Sequence, residues 1–211
     1  MLLYDYFRSS ASYRVRIALN LKGIPYEQRD VMLLENQQRT PEHLARHPQG
    51  FVPVLEADGK ILTQSLAIID WLDARHPEPR LIPADPDARA AALARALVIG
   101  ADIHPINNLR VMRYLAHDLH VDEFHRNAWT RHWIEHGFAA LEAMAGADGN
   151  EGPFLGGGAP DISDVFLVPQ FFNARRFDVP LMPYPKLRRA ECAAAEIEAF
   201  AAAHPDRVAP K

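Results

Sequence analysis

Apolar and polar positions change in short blocks over the first 76 residues, then settle into a longer helical rhythm for the rest of the chain. Leu2-Leu3-Tyr4-Asp5-Tyr6-Phe7 predicts a strand, and residues 12–22 have helical spacing. Gly23 stands where a left-handed residue closes a helix, and Pro25 stops any continuation. Residues 26–33 predict a second strand. Thr40-Pro41-Glu42 opens a short helix with Thr40 as N-cap and Pro41 in its first turn. Residues 52–57 and 60–63 flank Asp58-Gly59, a strong short-range hairpin signal. Ser65 then precedes a helix over residues 66–75. The order β-α-β-α-β-β-α predicts a small α/β sheet domain with a thioredoxin-like layout.

Pro77, Pro79, Pro83 and Pro86 crowd the next stretch and predict a stiff linker. No strand pattern recurs beyond it. Residues 89–115 predict one long helix interrupted at Pro105. Asp122 caps a second helix with Trp129, Trp133, Ile134, Phe138, Leu141 and Met144 on its apolar side. Asp161-Ile162-Ser163-Asp164 spells an acidic capping box for a helix running to Phe171. Pro185 starts a last helix, with Leu187, Ala190, Ala194 and Ile197 on one face. The expected organisation is α/β followed by all-α, with an N-terminal domain over residues 1–80 and an all-helical domain over 88–211.

Charge and composition then narrow the function. Twenty-three basic and 27 acidic side chains leave a net −4, so there is no basic excess to neutralise a phosphate backbone. The single cysteine, Cys192, allows no intrachain disulfide and fits a reducing compartment. No run approaches 18 uncharged apolar residues, and Arg8 interrupts the N-terminus too early for a signal-peptide core. These features predict a cytoplasmic protein with no nucleic-acid or membrane partner.

Candidate chemistry gathers at helix starts. Arg8-Ser9-Ser10-Ala11-Ser12 lies between the first strand and the first helix, where unpaired N–H groups and the helix dipole favour an anion. Gln64-Ser65 is a second strand-to-helix turn. Two such turns following strands of one sheet share the edge where α/β ligands bind. Val52-Pro53 fits a strand entry, a bulge or a cis turn. Asp102-Ile103-His104-Pro105-Ile106-Asn107-Asn108-Leu109-Arg110 places polar residues around a helix kink. Arg8, Arg110 and the pair Arg175-Arg176, with Arg176 placed just past a helix end, fall at turns or kinks. Their forks suit a small dicarboxylate. His132-Trp133-Ile134-Glu135-His136 spells a zinc-peptidase motif. Ten histidines make a chance match easy, no third ligand is evident, and no metal is expected.

Residues 6–19, Tyr6-Phe7-Arg8-Ser9-Ser10-Ala11-Ser12-Tyr13-Arg14-Val15-Arg16-Ile17-Ala18-Leu19, resemble the signature of zeta-class glutathione transferases, the maleylacetoacetate isomerase family. Gln64-Ser65-Leu66-Ala67-Ile68-Ile69, the 102–110 segment and Asn173-Ala174-Arg175-Arg176-Phe177 resemble further motifs of its bacterial members. The resemblance implies glutathione transferase architecture, a homodimer and glutathione as cofactor. It implies that Ser9, Ser10 and Ala11 face the glutathione sulfur, that Val52 pairs with the tripeptide backbone, and that Pro53 is a cis proline. It places Gln64 and Ser65 at the γ-glutamyl carboxylate and Gln38 at the glycyl end. Asp102 and His104 complete the site from either subunit, with Asn108 and Arg110 lining the adjoining pocket. Many eukaryotic relatives carry cysteine where this chain has Ala11.

On this reading the cofactor supplies the thiol, Ser9 and Ser10 serve it, and Arg8, Arg110 and Arg176 hold the carboxylates of a small dicarboxylate. The expected activity is glutathione-dependent isomerisation of maleylacetoacetate. Maleylpyruvate isomerisation, general transferase or haloacid-dehalogenating activity, and a non-enzymatic binding module stand as alternatives.

Overall fold

The computed structural model describes residues 1–147 and 151–210. Its packing separates two units, one of Met1–Leu81 together with the chain from Ala195 onward, the other of Ile82–Ala194. The expected division assigned everything after residue 88 to the helical domain. By packing, the last segment goes with the first unit.

In the first unit, strands β1 (Leu2–Asp5), β2 (Glu27–Asp30), β3 (Val54–Ala57) and β4 (Lys60–Thr63) form one sheet in the order β2-β1-β3-β4. β1 runs parallel to β2 and antiparallel to β3, and β3 runs antiparallel to β4. Helices α1 (Ser10–Leu21), α2 (Pro41–Arg46) and α3 (Ser65–Arg75) follow the predicted order. The N-terminal unit is the thioredoxin-like arrangement that the pattern implies. β2 is shorter than predicted. After Val31 the backbone turns into a 3₁₀ segment, Leu33–Glu35, held where the Met32 N–H donates to Gln37 Oε1 at 2.9 Å. Charged and polar residues from Glu27 to Asp30 suit this outer strand, because they discourage pairing with another chain.

α1 is buried from Ser12 through Leu19, including two arginines. Arg16 meets Asp5 at 2.6 Å with neither side chain exposed. Burial drives the Asp5 carboxyl above its ordinary value, and the guanidinium opposes that shift. Lys22 meets Asp73 at 2.8 Å and also donates to the carbonyls of His76 and Pro79. Asp73 Oδ1 further accepts the Leu81 N–H. One buried ion pair thus ties the proline-rich linker to α1 and α3, which explains why the first unit runs to Leu81.

The second unit contains α4 (Pro86–Leu97), α5 (Leu109–His117), α6 (Glu123–Ala147), α7 (Ile162–Arg176) and α8 (Pro185–Ala195) up to its last residue. The predicted 89–115 helix is divided. α4 passes into a π turn, Val98–Ile103, then a 3₁₀ turn, Pro105–Asn107, before α5 begins. Pro105 has no N–H to continue the ladder, and Asn108 restarts it by accepting the Arg110 N–H. On α6, Ile134, Phe138 and Leu141 are buried as predicted. Trp129 is not, and its indole N–H donates to the Ile106 carbonyl at 3.2 Å. α7 continues five residues past the predicted end at Phe171, despite Pro169 in its interior. α8 is not the last helix. Ile197 precedes α9 (Glu198–Ala202), and α10 (Pro205–Val208) follows in the first unit.

The predicted capping box at the start of α7 is present. Asp164 accepts the N–H groups of Leu155 and Asp161 at 3.0 Å each, while Asp161 accepts the Ser163 N–H. Burial and the nearby Asp161 charge push the Asp164 carboxyl up to about 7. An acid whose folded pKa is raised binds its proton more tightly folded than unfolded, so its contribution to stability falls as pH rises through that window. Thermal midpoints of the native chain and Asp164→Asn from pH 5 to 8 check this. The native advantage is largest at pH 5 and shrinks toward pH 8, with a limiting slope of about 1.4 kcal/mol per pH unit. A constant gap means that Asp164 ionises like an exposed carboxyl.

Candidate functional site

Register gathers three chain segments at one edge of the sheet. Tyr4, near the end of β1, stands opposite Val54 at the start of β3, which stands opposite Thr63 at the end of β4. The turn leading to α1, the Val52-Pro53 entry and the Gln64-Ser65 turn therefore emerge together. Ser9, Ser10, Ala11, Val52, Pro53, Gln64 and Ser65 all share this edge.

α1 starts two residues earlier than its predicted beginning at Ser12. Ser9 is the N-cap, and its Oγ accepts the Ser12 N–H at 3.3 Å. The Ser9 N–H donates to the Tyr6 carbonyl at 2.8 Å, and the Tyr13 N–H to the Ser9 carbonyl at 2.9 Å. With Oγ acting as acceptor toward the backbone, the hydroxyl proton of Ser9 remains a donor toward whatever sits at the helix start. Arg8 is exposed, with its guanidinium 5.1 Å from the Phe7 ring centre.

The Val52–Pro53 peptide is cis. The β1–β3 ladder begins at Val54, so the Val52 backbone lies outside it. Buried His43 fixes the residue before: its Nε2 lies 2.7 Å from the Phe51 carbonyl, which can only accept, so Nε2 carries the proton. Gln38 is buried in a 3₁₀ turn, with Oε1 lacking a hydrogen-bond partner among the described residues. A side chain at Gly50 would run into the Gln38 carbonyl, so glycine is needed for this close approach.

Gln64 adopts φ 69° and ψ 116°, a sparsely populated conformation for a residue with a Cβ. Its amide donates to Gln49 Oε1 at 2.9 Å. Among the described residues, no side chain caps α3. By contrast, Ser9, Thr40, Asp85, Asn108 and Asp161 cap α1, α2, α4, α5 and α7. The start of α3 thus keeps N–H groups for an external acceptor. Beneath it, Arg14 Nη1 donates to Ser65 Oγ at 3.4 Å. Burial lowers the Arg14 pKa to about 9, which leaves it cationic at neutral pH. The edge thus offers a carboxylate an uncapped helix start, a hydroxyl and a buried cation.

The remaining predicted residues belong to the second unit. Asp102 is exposed on the π turn, and His104 follows it half-buried. Side chains in place of Gly100 and Gly137 would collide with Phe166 and Ile103, so these glycines let the π turn pack against α7 and α6. Asn108 spends its Oδ1 on capping α5, and Arg110 is exposed in that helix's first turn. Arg176 is exposed as the last residue of α7, not beyond the helix end as predicted. Its neighbour Arg175 pairs with Glu191 at 2.9 Å.

Three further residues gain a place at the site from the structure. Gln49 bridges Gln64 to the loop before Pro53. Arg14 brings charge beneath Ser65; its signal is a cation inside an otherwise inward-facing run of α1. Asn107 has both side-chain amide atoms buried without a partner among the described residues. No sequence pattern marks Gln49, whereas Asn107 lies in the polar 102–110 stretch around the kink. Among the described residues, no group of three or more His, Cys, Asp or Glu side chains could hold a metal, and no helix is long and apolar enough to cross a membrane.

A family model for the glutathione S-transferase N-terminal domain matches residues 3–80. The chain is 47% identical over 208 residues to maleylacetoacetate isomerase of Rhizobium meliloti, covering 99% of this chain and 97% of that one. The solved holo structure of a maleyl pyruvate isomerase, described as a bacterial glutathione S-transferase in the zeta class, matches with a TM-score of 0.97 and 44% identity over 100% of both chains. A maleylacetoacetate isomerase from Anaeromyxobacter dehalogenans 2CP-1, solved with dicarboxyethyl glutathione and citrate in its active site, matches with a TM-score of 0.87 and 44% identity over 99% of this chain and 93% of that one.

Removing the Ser65 hydroxyl tests the anion assignment at α3. Ser65→Ala raises the Kd for glutathione by about tenfold at pH 7, the size of one charge-assisted hydrogen bond. Titration calorimetry reads this directly, and an unchanged Kd moves the carboxylate elsewhere.

Proposed function

The chain belongs to the zeta class of glutathione transferases, and from that premise we propose that it is a glutathione-dependent cis–trans isomerase acting on maleylacetoacetate to form fumarylacetoacetate. The observation that carries the reading is the shared sheet edge, where an uncapped α3 above buried Arg14 stands beside the Ser9 turn.

The donor set fits a γ-glutamyl tripeptide. The α3 start, Gln64 and Ser65 suit the γ-glutamyl carboxylate. The Val52 backbone, free of the ladder, suits antiparallel pairing with a peptide. The orphaned Gln38 Oε1 suits an N–H toward the glycyl end. When bound, glutathione supplies a thiolate whose reversible addition to an activated alkene lets the former double bond rotate. Ala11 has only a methyl group, so this chain contributes no thiol at that position. A thiol of ordinary pKa, about 8.5, is only a few per cent ionised at neutral pH. Ser9 Oγ–H and the opening of α1, with Ser10 beside it, favour the ionised form by hydrogen bonding and by the helix dipole.

We assign the substrate carboxylates to Arg8, Arg110 and Arg176, whose planar guanidinium forks match a carboxylate through two N–H bonds. The same cations would oppose the negative charge that builds on the substrate oxygens when its double bond is opened. Asp102, His104 and Asn108 complete the cofactor side of the site in this reading. The chain acts as a homodimer in the cytoplasm. Maleylpyruvate isomerisation is the second reading, favoured by the likeness to the zeta-class maleyl pyruvate isomerase structure.

Parallel assays of maleylacetoacetate and maleylpyruvate, with glutathione present and absent, test the proposal. Turnover requires glutathione, and the better substrate is maleylacetoacetate. Arg176→Ala lowers kcat/KM for that substrate by about tenfold or more, the loss of roughly one charged contact, while the Kd for glutathione stays within about twofold. Unchanged turnover removes Arg176 from the substrate site.

A further inference from the structure

We propose that Arg16 is a positioning residue for the Ser9 turn and that it transmits to this turn the docking of the chain's C-terminal segment on α1. The inference rests on the assignment of Ser9 to the glutathione sulfur.

Arg16 sits two turns into α1 with its side chain fully buried. Its three nitrogens reach three separate segments. Nη1 donates to Asp5 Oδ2 at 2.6 Å, at the end of β1. Nη2 donates to the Phe7 carbonyl at 3.0 Å, two residues before Ser9. Nε donates to the Ala203 carbonyl at 3.0 Å, just past α9. The planar guanidinium holds these acceptors in one fixed frame, which a lysine ammonium cannot reproduce. The buried guanidinium has no water to turn to, so it stays on these three acceptors and holds the Phe7 carbonyl with them.

Phe7, Arg8 and Ser9 make the tight turn from strand to helix, closed by the Ser9 N–H on the Tyr6 carbonyl. The C-terminal segment reaches α1 through other contacts as well. Asn20 Nδ2 donates to the Ala199 carbonyl at 3.0 Å, and Phe200 and Ala203 are buried. His204 stands edge-on to the Tyr13 ring at 6.1 Å, and the Arg16 guanidinium lies 5.1 Å from the centre of the same ring. One side chain therefore links the chain's last segment to the backbone that aims the Ser9 hydroxyl.

Two variants separate positioning from bulk stability. Arg16→Lys keeps the charge opposite Asp5 and loses the fork. Asn20→Ala touches only the tail and leaves the Arg16–Asp5 pair in place. Two readouts follow each: amide hydrogen exchange at Ser9 in the free protein, and the ultraviolet thiolate titration of bound glutathione. Both variants should speed exchange at Ser9 by about tenfold more than at the sheet amide of Leu55, and Arg16→Lys should raise the bound thiol pKa by about one unit. Equal acceleration at Ser9 and Leu55 with an unchanged thiol pKa reduces Arg16 to a structural ion pair and overturns the proposal. An Asn20→Ala protein with native exchange at Ser9 overturns the link to the tail, and decides that point even if Arg16→Lys does not fold. A native protein whose bound thiol titrates at its ordinary value defeats the glutathione reading instead, while the exchange comparison still judges the positioning role.

Discussion

A guanidinium removed from water must be met by fixed acceptors, and α1 carries two of them inside the first unit. Arg14 and Arg16 lie in the run from Ser12 to Leu19 that the sheet and neighbouring helices cover. Leaving either cation unmatched in such a place costs several kcal/mol, far more than a surface charge contributes. Arg14 is met at Ser65 in the first turn of α3. Arg16 is met by Asp5, Phe7 and Ala203. Matching these charges therefore also sets where α3 starts and how the chain turns after β1. The partners demanded by burial are the same segments that the chemistry would use.

This arrangement explains why the edge of the sheet can favour anions without a surplus of surface cations. The chain as a whole is acidic, at −4. Local potential comes instead from a buried cation, from an uncapped helix start and from oriented backbone groups. A low-dielectric setting strengthens each of them. Asparagine and aspartate caps on α4, α5 and α7 close those other helix starts to an external anion.

The second unit meets a comparable demand with backbone hydrogen bonds. Its capping box satisfies the start of α7 and pins Leu155, and Arg95 joins it through Ser163 at 3.2 Å. The π turn and Pro105 then break the α4–α5 path, so Asp102 and His104 leave a regular helix face. Gly100 and Gly137 make room for that detour, which a longer side chain would push away from α6 and α7.

Local signals in the sequence determined the elements whose causes are local. Asp58-Gly59 made the hairpin, Thr40-Pro41 the start of α2, and Asp161 with Asp164 the start of α7, because each depends on neighbours within a few residues. The serine-rich turn and Gln64-Ser65 were legible as helix starts for the same reason. Other features needed distant partners. Ser9 became the N-cap of α1, three residues before the predicted helical spacing begins, since its oxygen could satisfy the Ser12 N–H. Arg176 stayed within α7 because tertiary packing carried the helix beyond Phe171 and through Pro169. Gln49 met Gln64, and Ala203 met Arg16 from 187 positions away, only once the sheet and the last segment were in place. Periodicity reports which face of an element is apolar, but the partner of a buried polar atom is chosen by the whole fold.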